Sequence, residues 1–204
     1  MMGTLYIVSA PSGCGKTSLV HALLQSTSNL AISVSYTTRA PRPGEKDAVN
    51  YHFVDDKHFH QMVATQEFLE HAEVFGHYYG TSRAKVAQQL EQGIDVVLEI
   101  DWQGAQQVRA AFANTVSIFI FPPSKETLRQ RLQARRQDNQ QIIDERMQRA
   151  HDELSHYHEY DYLIFNDQFD YALSDLNAIV HARRLRLASQ VICHKELITQ
   201  LLDD

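Results

Sequence analysis

Residues 5–17 read Leu5-Tyr6-Ile7-Val8-Ser9-Ala10-Pro11-Ser12-Gly13-Cys14-Gly15-Lys16-Thr17, and the order of parts in this stretch decides the fold. Leu5-Tyr6-Ile7-Val8 is a short, wholly apolar run, as expected of a strand buried on both faces. A loop follows, and then Leu19, Val20, Leu23 and Leu24 recur at helical spacing. Strand, glycine-bearing loop, lysine–hydroxyl pair and helix make up a phosphate-binding loop of the pattern G-x-x-x-x-G-K-[ST]. Backbone N–H groups of such a loop point at phosphate oxygens, and the helix N-terminus adds partial positive charge. The expected triphosphate-binding set is therefore Ala10, Pro11, Ser12, Gly13, Cys14, Gly15, Lys16, Thr17 and Ser18. Lys16 is expected to reach the β- and γ-phosphates and Thr17 to set its hydroxyl on Mg²⁺. Ala10 stands where the pattern has its first glycine, which requires that its φ be negative or its strain small. Cys14, beside Lys16 and a helix N-terminus, is expected to have a lowered thiol pKa and to be the more reactive of the two cysteines.

Outward from this loop the same alternation continues. Val96-Val97-Leu98-Glu99-Ile100, Val116 to Phe121 and Tyr162-Leu163-Ile164-Phe165 are further short runs rich in β-branched or aromatic residues. Helical stretches separate them, with Ser124 an expected N-cap and a long helix beginning near Asp170. The fold class is α/β, a central parallel sheet flanked by helices. Residues 33–80 break the pattern. Ile32-Ser33-Val34-Ser35, Tyr51-His52-Phe53-Val54 and Phe68 to Tyr79 read as strands around a helix that starts after Asp55, a small mixed α+β lobe set into the core.

Composition narrows the function classes. A chain of 204 residues that is 44% hydrophobic and 22% charged is an ordinary globular protein. It needs no staple, and two distant cysteines, Cys14 and Cys193, build no disulfide framework, so a cytoplasmic setting is expected. No apolar stretch approaches the roughly 20 residues of a membrane span. A net charge of −6 argues against a nucleic-acid-gripping surface. Within this acidic chain, however, Arg39 and Arg42 sit together, and Arg129, Arg131, Arg135, Arg136, Arg146 and Arg149 fall in one stretch, which suits a small polyanion. The pairs His58/His60 and His156/His158 lack a third ligand and are not expected to hold metal.

The downstream motifs resemble those of the guanylate kinase family, which phosphorylates GMP from ATP. They include Ser35-Tyr36-Thr37-Thr38-Arg39-Ala40-Pro41-Arg42-Pro43-Gly44-Glu45, Tyr51-His52-Phe53-Val54 and Glu67-Phe68-Leu69-Glu70-His71-Ala72. Tyr78-Tyr79-Gly80-Thr81, Glu99-Ile100-Asp101, Pro122-Pro123-Ser124 and Asn166-Asp167 follow in family order over nearly the whole chain. The resemblance implies one domain, 1–204: a P-loop kinase core at 1–32 and 81–204, a GMP-binding lobe at about 33–80 and an arginine-rich lid at about 129–149. It implies ATP and GMP as substrates, dGMP as a further acceptor, and Mg²⁺ as cofactor.

It also implies roles. Arg39, Arg42, Tyr51 and Tyr79 would hold the GMP phosphate; for each tyrosine, core packing is the alternative. Guanine presents N1–H and a 2-amino group side by side, a donor pair that a carboxylate accepts at once. Glu70 matches that role, with Asp101 as second acceptor and Ser35 and Thr81 near the base. Helix capping is the other role open to Asp101. Asp101 and Glu99, two apart at a strand end, share a face, and Glu99 is a candidate for a water-mediated place at Mg²⁺. Arg131, Arg135 and Arg146, with Lys16, Arg39 and Arg42, form the expected catalytic set, and Asn166 and Asp167 would contact adenine. Relatives show Gly-Arg-Gly where this chain has Ala134-Arg135-Arg136. Two other readings stay open: a different acceptor such as AMP or dTMP, and a non-catalytic peptide-binding scaffold. The tail from about Arg183 to Asp204 reads as one amphipathic helix and a candidate surface for homo-oligomer formation.

Overall fold

The computed structural model describes residues 2–74, 76–134 and 140–203. Its centre is a five-stranded sheet of β1 (Leu5–Ser9), β2 (Leu30–Ile32), β7 (Asp95–Glu99), β8 (Thr115–Phe121) and β9 (Tyr162–Phe165) in the order β2-β7-β1-β8-β9. Every pairing in it is parallel. Alternate residues of β1 feed two cores, as the two-residue period of a strand demands. Tyr6 and Val8 join Leu19, Val20, Leu23 and Leu176 on the face covered by α1 (Lys16–Ser26) and α7 (Phe169–Arg184). Leu5 and Ile7 join Val86, Leu90, Ala105 and Val108 on the face covered by α3 (Arg83–Glu91) and α4 (Trp102–Ala111).

The central segment forms a second sheet of β3 (Tyr36–Thr37), β4 (His52–Phe53), β5 (Phe68–Val74) and β6 (His77–Ser82), ordered β4-β3-β6-β5. The expected strand Ile32–Ser35 is not one element. Ile32 ends β2, and Ser33 N donates to the Val97 carbonyl at 3.0 Å, so the segment stays with the parallel sheet before β3 begins. The run Phe68 to Tyr79 is a hairpin that turns near Gly76, which has φ 74°. Helix α2 (Asp56–Ala64) starts as expected: Asp55 Oδ1 accepts from His58 N at 2.7 Å. It covers the second sheet through a small separate core of Phe59, Met62 and Phe68. Phe59 stacks on Tyr78 at 5.5 Å and lies tilted against Phe68 at 4.6 Å.

Helices α5 (Lys125–Ala134) and α6 (Gln140–Ser155) follow β8; Ser124 Oγ accepts from Thr127 N at 3.1 Å and starts α5. The tail is not one helix: α7 ends at Arg184, and α8 (Leu187–Cys193) and α9 (Lys195–Leu202) follow as separate short pieces. Among the described residues no helix is long and apolar enough to cross a membrane. Phe59 fills the middle of the smallest core, so Phe59→Ala is expected to cost about 3–5 kcal/mol in urea unfolding. A cost under about 1 kcal/mol would show that this core does not hold the second sheet together.

Candidate active site

Parallel strands end at a common edge, and in such sheets ligands bind in the crevice outside the carboxyl ends. The loops after β1, β7 and β9 meet there. Gly15 is the N-cap of α1 with φ 88°, a left-handed conformation, and no described side chain caps the helix. A Cβ at Gly15 would also run into Asn166 Nδ2. Glycine is required twice over, and the first amides of α1 stay available to an anion. Ala10 is not among the positive-φ residues, so alanine sits there without that strain. Asn166, buried just past β9, donates from Nδ2 to the Cys14 carbonyl at 2.7 Å. Arg131 of α5 donates to the Asn166 carbonyl at 3.1 Å, and its Nη1 is buried with no partner among the described residues.

Cys14 corrects a sequence expectation. Its side chain is 0% exposed within the core, whereas Cys193 is exposed, so reagents reach Cys193 first whatever the thiol pKa at Cys14. Lys16 is half-buried, with Nζ 3.5 Å from the Ile100 carbonyl, while Thr17 and Ser18 are exposed at the mouth. The pairing of Val8 with Glu99 brings Glu99 beside α1, and the Thr17 hydroxyl donates to Glu99 Oε1. A hydroxyl and a carboxylate are hard oxygen donors of the type Mg²⁺ selects.

Across the crevice lies Glu70. The register of β5 against β6 shifts between Phe68 and Glu70, a bulge that buries Phe68, Leu69 and Glu70 together. The carboxylate accepts from Thr81 Oγ1 at 2.5 Å. Burial, with the nearby Asp101 charge adding, pushes the Glu70 carboxyl up to about 7. Asp101 is the N-cap of α4, its Oδ1 accepting from Gly104 N at 2.9 Å, so the capping role is present. A Cβ at Gly104 would collide with Glu70 Oε2, so this glycine lets α4 close on the carboxylate. Glu153 of α6 is a third carboxylate at this end, pushed up to about 7 by burial against the pull of Lys16. It lines, with Asp101, Trp102 and Arg149, a cavity of about 160 Å³.

On the loop between β3 and β4, the Arg39 guanidinium lies 5.4 Å from the Tyr51 ring, and Tyr51 and Tyr79 meet edge to face at 5.9 Å. Burial, helped by Glu99, pushes the Tyr51 hydroxyl up to about 12, so it stays a donor. Arg42 is exposed and Ser35 half-buried. Arg146 is half-buried on α6, Asp167 is exposed, and Arg135 lies outside the described residues. A cavity of about 460 Å³ lies elsewhere, between the end of α1 and α7; its Arg184 is taken up by Asp95 at 2.8 Å. Sequence reasoning does not single out Gly104, Glu153 or Glu45, whose Oε1 accepts from Arg39 Nη2 at 2.8 Å. Only Glu45 carries a signal, the Pro43-Gly44 turn before it.

A family model described as guanylate kinase matches residues 2–183. The guanylate kinase of Alkalilimnicola ehrlichii is 58% identical over 99% of this chain and 100% of its own length. That of Salmonella typhimurium is 56% identical over 99% of each. The crystal structure of guanylate kinase from Anaplasma phagocytophilum superposes with a TM-score of 0.81 at 34% identity, covering 100% of this chain and 97% of that one.

A raised folded-state pKa on Glu70 means that folding favours its protonated form. The associated stability is therefore present below the ordinary value of 4.5 and lost as pH rises through about 7. Glu70→Gln is expected to reduce the loss of unfolding free energy between about pH 5 and about pH 8 in the unliganded protein. An identical pH dependence in the variant would contradict the burial of an ionising Glu70.

Proposed function

The chain belongs to the guanylate kinase family, and we propose that the crevice at the end of its parallel sheet transfers the γ-phosphoryl group of ATP to GMP through the residues named above. Identities of 54–58% over nearly full length to curated guanylate kinases support that activity. The observation that carries the site reading is Glu70, a buried carboxylate held by Thr81 on one side of the crevice while the uncapped start of α1 lies on the other.

Phosphoryl transfer is mostly positioning and charge stabilisation. The backbone amides that begin α1, with others of the loop 10–18 that carry a free N–H, hold the ATP phosphates, and Lys16 draws the β- and γ-phosphates toward the sheet edge. The Thr17 hydroxyl and the neighbouring Glu99 carboxylate would hold Mg²⁺ brought in with ATP, which would supply charge neutralisation at the phosphates. Arg39 and Arg42, with the hydroxyls of Tyr51 and Tyr79, hold the acceptor phosphate in line. The attacking oxygen of GMP is already anionic, so no side chain needs to remove a proton. Arg131, Arg135 and Arg146 belong to the lid at about 129–149 and neutralise the group in transit, while lid and lobe exclude water that would hydrolyse ATP. Asn166 holds the phosphate loop and, with Asp167, borders the adenine.

Base choice follows from the donor pair. Glu70 accepts from guanine N1–H and the 2-amino group, with Asp101, Ser35 and Thr81 completing the pocket; adenine lacks that pair and would leave a buried carboxylate unpaired. Guanine binding favours the ionised carboxylate and draws its pKa down from about 7. The retained Lys16, Thr17, Arg39 and Arg42 count against a scaffold without catalysis. Glu70→Gln is expected to raise the KM for GMP roughly a hundredfold while the KM for ATP stays within about twofold. Unchanged GMP kinetics would remove Glu70 from the site.

A further inference from the structure

Arg42-Pro43-Gly44-Glu45 is a tight turn: Pro43 sets the first corner, Gly44 the second at φ 88°, and Glu45 N donates to the Arg42 carbonyl at 3.0 Å. The turn folds the Glu45 side chain back on the loop. Arg39 Nη2 donates to Glu45 Oε1 at 2.8 Å and to Oε2 at 2.9 Å, and Oε2 also accepts from Arg42 N at 2.7 Å. Arg39 Nη1 donates to the Ala40 carbonyl at 2.8 Å. The side chains of Arg39 and Glu45 are only 11% and 19% exposed, so solvent screens the pair poorly. The Arg39 hydrogen bond holds the Glu45 carboxyl below the ordinary carboxylate range, so it is ionised at neutral pH. One carboxylate thus joins the guanidinium of Arg39 to the backbone of Arg42, with the guanidinium over Tyr51 and Phe53 at 5.4 and 6.0 Å.

We propose that Glu45 is a positioning residue for the acceptor phosphate: it fixes the Arg39 guanidinium and the Arg42 backbone in register before GMP arrives. The proposal rests on the reading that Arg39 and Arg42 receive that phosphate. Two effects of Glu45 have opposite signs. As a charge it repels a dianion and competes for Arg39. As a tether it removes rotamer freedom that a loose arginine would otherwise lose on binding. Positioning wins if the second effect is larger.

The sign of one substitution separates them. Calorimetric GMP and ATP-analogue affinities and steady-state KM values are compared for wild type, E45Q, E45D and R39A, with thermal melts of each. E45Q keeps the shape and makes the site more positive, yet it is expected to raise the Kd and KM for GMP about tenfold. ATP-analogue binding is expected to stay within about twofold, with E45D between E45Q and wild type because it retains the charge on a shorter arm. Tighter or unchanged GMP binding in E45Q, with R39A still defective, overturns the positioning role alone. Normal GMP binding in R39A overturns the phosphate-site reading and the proposal with it.

Discussion

The hydrogen bond from Asn166 Nδ2 to the Cys14 carbonyl fastens the phosphate loop to the sheet. It joins the end of the edge strand β9 to the loop after the central strand β1, across the intervening β8. An unpaired buried carbonyl in its place would cost about 1–3 kcal/mol, and the loop would have reason to rearrange. Gly15 makes the joint sterically possible, because any side chain there would displace the Asn166 amide. With the carbonyl of Cys14 turned toward Asn166, the amides that begin α1 are left for an anion. Arg131 then ties α5 to the same asparagine through its carbonyl. The phosphate loop, the last strand and the start of the arginine-rich segment are therefore one mechanical unit.

Charge is sorted across the crevice. Carboxylates gather where a base with N–H donors or a cation would lie: Glu70 and Asp101 beside α4, Glu99 against Thr17. Cations sit where phosphates would lie, Lys16 on the core side and Arg39 on the loop between β3 and β4. Each set is unfavourable to bury alone, and the raised carboxyls of Glu70 and Glu153 record that cost. A ligand with a donor edge at one end and phosphate at the other relieves both. The bulge at Phe68–Glu70 is the backbone device that permits it, since it puts a carboxylate inward in a strand that otherwise feeds hydrophobic cores.

The phosphate loop was legible because its chemistry is local: strand, turn, lysine and helix lie within a dozen or so consecutive residues. The strands β1, β7 and β8 were legible because burial on both faces leaves no polar alternation in them, whereas the edge strand β9 keeps an apolar run although Tyr162, Leu163 and Phe165 are exposed, contrary to the burial its sequence suggests. Caps such as Asp55 and Ser124 were likewise local. Where distant pairing decides, the sequence was silent. Nothing in Ile32-Ser33-Val34-Ser35 says that Ile32 belongs to one sheet and the chain only joins the other at Tyr36; the Val97 carbonyl across the ladder decides it. Glu153 belongs to no motif and matters only because α6 packs it toward Lys16 and Asp101. Cys14 is of the same kind, since its neighbours in sequence predict reactivity and its neighbours in space bury it.

One crevice is expected to hold a triphosphate donor and to select a guanine nucleotide as acceptor. Initial rates of ADP formation from ATP, with GMP, AMP and dTMP offered separately at equal concentration, test it most directly. Turnover with GMP is expected to be at least about a thousandfold above either other acceptor, the margin a buried unpaired carboxylate imposes. Comparable rates with AMP or dTMP, or no nucleotide-dependent turnover at all, would contradict it.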